Sequence, residues 1–266
     1  MKSVDYLINY LLEENPYADV NKEVTSDEEK FNLYRSLSNI RKAMPISEEF
    51  LKEEAKYLHE INSKKTIISS KDIETFDKAY PNNNFHNGDR MSLWQGDITC
   101  LKIGAIVNAA NSQGLGCFIP CHNCIDNQIN TYAGIALRLE CNEYMKTIDN
   151  NLPTGEAFIT KAYNLPAQHV IHTVGPIIQS TVTDSHKKLL AKCYSNCLRL
   201  AQENDIRSLA FCSISTGVFR FPKDMACQIA LKTVDEYLDD NKESFDKIVF
   251  NVFSDGARDI YEEFIR

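Results

Sequence analysis

Ala105-Ile106-Val107-Asn108-Ala109-Ala110-Asn111-Ser112 leads, through Gln113, into Gly114-Leu115-Gly116-Cys117-Phe118-Ile119-Pro120-Cys121-His122-Asn123-Cys124-Ile125-Asp126. The first stretch is a short apolar run of the kind that forms a strand buried on both faces, and it ends in a polar pair. The second is turn-prone and gathers three cysteines and a histidine into one loop. Thiolates and an imidazole that close together suit a zinc ion. In α/β proteins ligands collect beyond the carboxyl ends of the strands, so a metal here is placed for chemistry as well as for folding.

Two ligand sets compete. Cys117, Cys121, His122 and Cys124 together would close a structural Cys₃His site. Cys121 and His122 are adjacent, however, and Pro120 stiffens the approach, so four tetrahedral ligands would be cramped. The set Cys117, His122 and Cys124 leaves one coordination position open and is the one the geometry favours. Asp126 follows the last of them by two residues. It can orient a water, act as a general base, or merely cap the segment after it.

Outward from this stretch, apolar runs alternate with helical periodicity. Strands are predicted over 91–94, 105–110, 169–173, 209–214 and 247–253. Helices are predicted over 131–145, 184–203, 223–240 and 257–265, with Asp184 as the N-cap of the second. Strands buried on both faces and separated by helices indicate an α/β fold with a mostly parallel sheet. Residues 1–70 read as helical only. Tyr6, Leu7, Tyr10 and Leu11 make an amphipathic run. Ser26 with Glu29 forms a capping box, Pro45 ends the helix that follows, and Ser47 caps the next. This part is rich in Glu and Lys and shows no cluster of chemically useful groups. Asn82-Asn83-Asn84 marks a loop at the boundary.

Other strand ends carry weaker signals. Asp97, in Gln95-Gly96-Asp97-Ile98-Thr99, can accept from an exocyclic amine or a sugar hydroxyl, although a Gly-Asp pair is commonly just a turn. Asn108 and Asn111 flank a strand end, where Asn is more often structural; Asn111 can also reach a ligand. Ser213-Ile214-Ser215-Thr216-Gly217-Val218-Phe219 leaves a buried strand, and its small residues let consecutive amides converge on a phosphate; an ordinary βα loop is the alternative. His169 and His172 read as hydrogen-bonded core residues. Cys193 and Cys197 are spaced to share a metal, but simple packing is favoured.

The totals exclude several classes. The 266 residues are 43% hydrophobic and 25% charged, as in a soluble globular protein. The net charge of −8 argues against nucleic-acid binding. A phosphorylated ligand would then be held by backbone N–H groups rather than by a basic patch. No run approaches the ~20 apolar residues of a membrane span. With no export signal in view, the expectation is a cytoplasmic protein, and its nine cysteines do not suggest a disulfide framework.

Taken in order and spacing, these segments resemble the macrodomain family. The matching motifs are Gly96-Asp97-Ile98-Thr99, Ala105-Ile106-Val107-Asn108-Ala109-Ala110-Asn111, Pro153-Thr154-Gly155-Glu156-Ala157, His172-Thr173-Val174-Gly175-Pro176 and Ser215-Thr216-Gly217-Val218-Phe219. The resemblance covers residues 75–266 and makes 1–74 an N-terminal helical extension. Many macrodomains carry a glycine-rich loop where this chain has Cys117, His122 and Cys124. That departure is similar to the zinc-containing macrodomains of microbial protein-ADP-ribose hydrolases, a class linked to a sirtuin-type ADP-ribosyltransferase and to a lipoyl-carrier protein related to the glycine-cleavage H protein.

The resemblance implies a three-layer αβα sandwich with a mixed, mostly parallel sheet. It also implies a zinc-dependent hydrolase that removes mono-ADP-ribose from a modified protein, from an Asp or Glu side chain of such a carrier. Carried over by position, Asp97 holds the adenine amine and Ile98 adds a backbone contact. Ser215, Thr216, Gly217, Val218 and Phe219 wrap the pyrophosphate. Cys117, His122 and Cys124 bind Zn²⁺, and Cys121 stays off it. Asn111 meets the distal ribose, and Asn111 and Asp126 serve catalysis. The competing expectation is a non-catalytic ADP-ribose-binding module with a structural zinc.

Overall fold

Three helices open the chain: α1 (Val4–Glu14), α2 (Asp27–Ile40) and α3 (Glu48–Ser63). The computed structural model describes residues 4–15 and 24–266, so the helical reading of 1–70 touches positions 1–3 and 16–23 that lie outside the described residues. Ser26 accepts from the Glu29 amide while the Glu29 carboxylate returns to the Ser26 amide, the expected capping box. Ser47 caps α3 through the Phe50 amide. Leu7, Leu11, Tyr34, Leu37, Phe50 and Leu58 form a small core of their own, which also takes in Ile135.

The rest of the chain runs through β1 (Ile68–Ser69), α4 (Phe76–Ala79), β2 (Met91–Gln95), β3 (Leu101–Lys102), β4 (Ala105–Ala109), α5 (Ile125–Ala133), α6 (Ile135–Lys146), β5 (Ala157–Lys161), β6 (His169–Thr173), α7 (Asp184–Glu203), β7 (Ser208–Phe211), α8 (Lys223–Asp240), β8 (Lys247–Val252) and α9 (Asp255–Ile265). Six strands form one sheet in the order β2-β8-β7-β4-β6-β5. All neighbours are parallel except β5, which pairs antiparallel with β6. Helices cover both faces: α5 and α6 lie on β4 and β5, α7 on β5 and β6, and α9 on β2. The carboxyl ends of β4, β6, β7 and β8 therefore open on one edge, and the four loops beyond them meet there. Among the described residues, no helix is long and apolar enough to cross a membrane.

Four expectations change. The helix predicted over 131–145 is two helices, broken at Gly134, which takes φ +92. Apolar periodicity runs through that glycine and hides the break. Thr183, not Asp184, caps α7: its hydroxyl accepts from the His186 amide and His186 returns to the Thr183 amide. The run 209–214 is strand only as far as Phe211, and its last residues leave the sheet to enter the cleft. Ala157–Lys161 is an additional edge strand, half-buried with Phe158 and Thr160 inward.

Glu54 of α3 supplies the cap that α6 lacks. Its Oε2 accepts from the Ile135 amide at 3.0 Å and its Oε1 from the Tyr34 hydroxyl at 2.6 Å. Burial pushes this carboxyl up from 4.5 to about 7. A carboxyl raised in the folded state contributes stability that is full below its unfolded pKa and is lost as pH climbs through the folded value. The stability of Glu54→Gln relative to the parent is therefore expected to rise by up to about 3 kcal/mol between about pH 5 and about pH 8. Urea midpoints read the difference, and a gap that stays flat across that window contradicts it.

Candidate active site

The four loops enclose a cleft of about 510 Å³, within the range of small-molecule sites. The β4–α5 loop contributes Asn111, Cys117, His122 and Cys124, and the first turn of α5 contributes Asp126. The loop after β6 brings Gly175, and the loop after β7 brings Ser213 and Ser215 to Phe219. Phe253, just past β8, stands at the rim 80% exposed, with Val218 at 70%. Among the described residues, no lysine or arginine lines the cleft.

Two sets of groups line it. In the loop after β7 the amides of Ser215, Gly217, Val218 and Phe219 donate to no acceptor of the chain among the described residues. Ser215 is held at φ +64, in the left-handed region, and its buried hydroxyl has no partner among the described residues. Successive unpaired amides around a left-handed residue form an anion-binding concavity. In the β4–α5 loop, one donor atom each of Cys117, His122 and Cys124 lies within 4.8 Å of the others. Cys117 Sγ is 3.6 Å from His122 Nδ1. Burial pushes the Cys124 thiol up to about 12, and Cys117 beside it adds to the rise. Two sulfurs and an imidazole in that space match the donor chemistry of zinc, and three protein ligands leave a coordination position free. Cys121 is outside the cluster. It sits at φ +52 and its thiol points to the Asn32 carbonyl.

Asp126 lines the same cleft and is 4% exposed. Asn108 Nδ2 donates to its Oδ1 at 2.7 Å and Asn130 Nδ2 at 3.1 Å. Burial raises its carboxyl to about 6. Behind Asn108, His172 Nδ1 lies 3.1 Å from the same amide nitrogen, and Thr160 Oγ1 is 2.9 Å from Nε2. The buried ring stacks on Phe158, and burial lowers its pKa to about 3, so His172 is neutral. A neutral ring that accepts from Asn108 at Nδ1 carries its proton on Nε2 and donates to Thr160. His172 is thus a core residue, as expected, but one that backs the site.

Of the residues singled out from sequence, Asn111, Cys117, His122, Cys124, Asp126 and the Ser215–Phe219 loop share the cleft, whereas Asp97 and Ile98 do not line it. Asp97 caps the short turn Ile98–Cys100, accepting from the Thr99 amide and hydroxyl, and pairs with Lys65 at 3.2 Å. Ile98 is buried. Asn111 is held by its own loop, donating to the Gly116 carbonyl and accepting from the Gln113 amide. Cys193 and Cys197 are fully buried and belong to no metal-like cluster among the described residues. Sequence reasoning missed Asn130, Arg35 and Asn39 around the site, and it missed Asn127. The i, i+4 pair Asp126–Asn130 on one helix face is the signal that was available.

The macro domain family model matches residues 107–230. A Treponema medium protein named protein-ADP-ribose hydrolase is 47% identical over 259 residues, covering 97% of this chain and 96% of that one. The chain belongs to the macro domain family. Its macro domain also resembles that of Trypanosoma brucei crystallised with ADP-ribose, at a TM-score of 0.67 and 29% identity, covering 86% of this chain and 94% of that one. A Fusarium oxysporum f. sp. cubense protein named "Probable bifunctional ADP-ribose hydrolase/ADP-ribosyltransferase" is 36% identical over 250 residues, which is 89% of this chain and 41% of that one.

Proposed function

We propose that this chain is a zinc-dependent hydrolase that releases mono-ADP-ribose from modified proteins. The observation that carries the proposal is the convergence, in one cleft, of an amide-rich anion site, a buried carboxylate and a three-donor metal cluster. The diphosphate would lie against the Ser215–Phe219 loop, which needs no cationic side chain for it. Phe253 offers a face for the adenine end. Asp97 and Ile98 would serve that end if the Asp97 carboxylate exchanges Lys65 for the exocyclic amine. The distal ribose would then reach Asn111, Asp126 and the Cys/His cluster.

Anchoring the nucleotide part remotely turns the reaction at the ribose into a positioned, effectively unimolecular step. Zinc held by Cys117, His122 and Cys124 would supply Lewis-acid polarisation of an oxygen at the reacting centre. Asp126, with Oδ1 fixed by Asn108 and Asn130, accepts the proton of the attacking water. The water oxygen bonds to C1″ of the ribose as the bond from C1″ to the target's carboxyl oxygen breaks, and the carboxylate leaves without needing strong acid assistance. The name of the Fusarium relative, which couples a hydrolase to a transferase, supports a substrate made by an ADP-ribosyltransferase. A sirtuin-type transferase and a lipoyl-carrier target are the finer form of this reading.

The test is release of ADP-ribose from proteins modified through Asp/Glu, Arg or Ser, with and without a chelator. Release confined to the acidic linkage and stopped by chelation is expected. Binding of ADP-ribose with no release under any condition would instead make the chain a binding module.

The anion site has its own test at Gly175. A Cβ there would meet Ser215 Oγ at 1.9 Å and Ile214 Cγ2 at 2.9 Å. Gly175→Ala is expected to displace the loop and weaken ADP-ribose binding roughly 10- to 100-fold in calorimetry. Unchanged affinity would place the diphosphate elsewhere.

A further inference from the structure

The loop between Cys117 and Cys124 barely supports itself. One backbone hydrogen bond closes within it, from the His122 amide to the Ile119 carbonyl. Its shape comes from a helix far away in sequence. Arg35 of α2, 8% exposed, donates through Nη2 to the His122 carbonyl at 2.8 Å. The same guanidinium reaches Asn127 Oδ1 from Nη2 at 2.7 Å and from Nε at 3.2 Å. Asn39, one helical turn on, accepts the Cys121 amide at 3.0 Å and Asn127 Nδ2 at 2.9 Å. Asn127 is buried and passes the constraint on, donating to the Ile119 carbonyl at 2.9 Å. Backbone groups of Ile119, Cys121 and His122 are therefore each fixed by a buried side chain. Cys121, the left-handed residue of the loop, is the one Asn39 holds.

We propose that Arg35 and Asn39 are positioning residues of the metal centre, fixing the loop so that its three donors converge without the metal having to fold it. The proposal rests on the reading of Cys117, His122 and Cys124 as zinc ligands. The residues lie beyond the ligands themselves, and the carbonyl of His122 is their point of leverage on the imidazole. Partners in this outer layer typically change metal affinity or activity about 10- to 100-fold when removed.

The experiment measures zinc affinity of the full chain by competition with a chromogenic chelator, together with the visible spectrum of the cobalt form. Arg35→Met and Asn39→Ala are expected to bind zinc about 10- to 100-fold more weakly and to lose intensity in the tetrahedral cobalt bands. Arg35→Lys, which keeps the charge but not the fork, should fall between parent and Arg35→Met. The rise in Tm caused by ADP-ribose should survive in all three, because the anion site stands on the loop after β7. Asn39→Ser reads the same quantity if Arg35→Met fails to fold. Variants that bind zinc as tightly as the parent, or that lose the ADP-ribose response together with zinc, overturn the proposal, because the contacts would then serve only general folding. A parent chain that binds no zinc overturns this inference and the metal reading together.

Discussion

His122→Ala is expected to slow ADP-ribose release by on the order of 10³-fold while the chain still binds ADP-ribose. The separation follows from where the groups sit. The three donors within 4.8 Å of one another occupy the β4–α5 loop, whereas the unpaired amides that would hold the diphosphate belong to the loop after β7. Removing the imidazole leaves two thiols, too few for a stable tetrahedral site. The loop keeps its backbone partners in Arg35, Asn39 and Asn127, so its collapse into the cleft is not expected. A melting shift on adding ADP-ribose reports binding by mass action, and single-turnover release reports chemistry. Cys117→Ser and treatment with a chelator should reproduce the same split. Turnover that persists after all three would remove the metal from the reaction.

Asp126→Asn is expected to cost about 10²- to 10⁴-fold in release, the usual range for a general base, with the fold intact. The substitution is nearly isosteric, and its hydrogen bonds can be kept. Asn108 and Asn130 both donate to Oδ1, and an asparagine can present its own carbonyl oxygen to them. Its amide nitrogen then replaces Oδ2, which can no longer accept a proton. A buried carboxylate is replaced by a neutral group, so Tm should hold or rise. ADP-ribose affinity should change little, since in the proposed mode the carboxylate serves the ribose end and the diphosphate rests on the loop after β7. A rate near that of the parent would assign the base to another group; a fall in Tm with the rate would mean that Asp126 is chiefly structural.

Much of the parallel sheet was legible because β4 and β8 are mostly apolar runs. Most helices announced themselves by period and by capping residues such as Ser26 and Ser47. The failures share a physical cause. Gly134 breaks a helix because Glu54, distant in sequence, caps the second half, and no local pattern encodes that partner. β5 escaped notice because its inward residues, Phe158 and Thr160, are too few for a clear alternation. In the site, Cys117, His122, Cys124 and Asp126 were legible because they lie within one short segment. The contribution of α2 was not. Arg35 and Asn39 sit among ordinary helix-surface residues, and only tertiary packing aims them at a loop more than eighty positions on. Asp97 shows the opposite case: a conspicuous motif residue whose carboxylate is already engaged by Thr99 and Lys65.

Arg138 of α6 illustrates the same dependence from the other direction. Its buried guanidinium donates to the carbonyls of Ser38 and Arg41 at the end of α2 and to that of Leu115 at the entrance of the cysteine-histidine loop. The cysteine-histidine segment is therefore not a portable cassette. Grafted into a protein that lacks α2, it would arrive without the Arg35 and Asn39 contacts that shape it. Recombination that carries the trait must move two separated stretches of coding sequence at once, so lineages should gain or lose the pair as a unit.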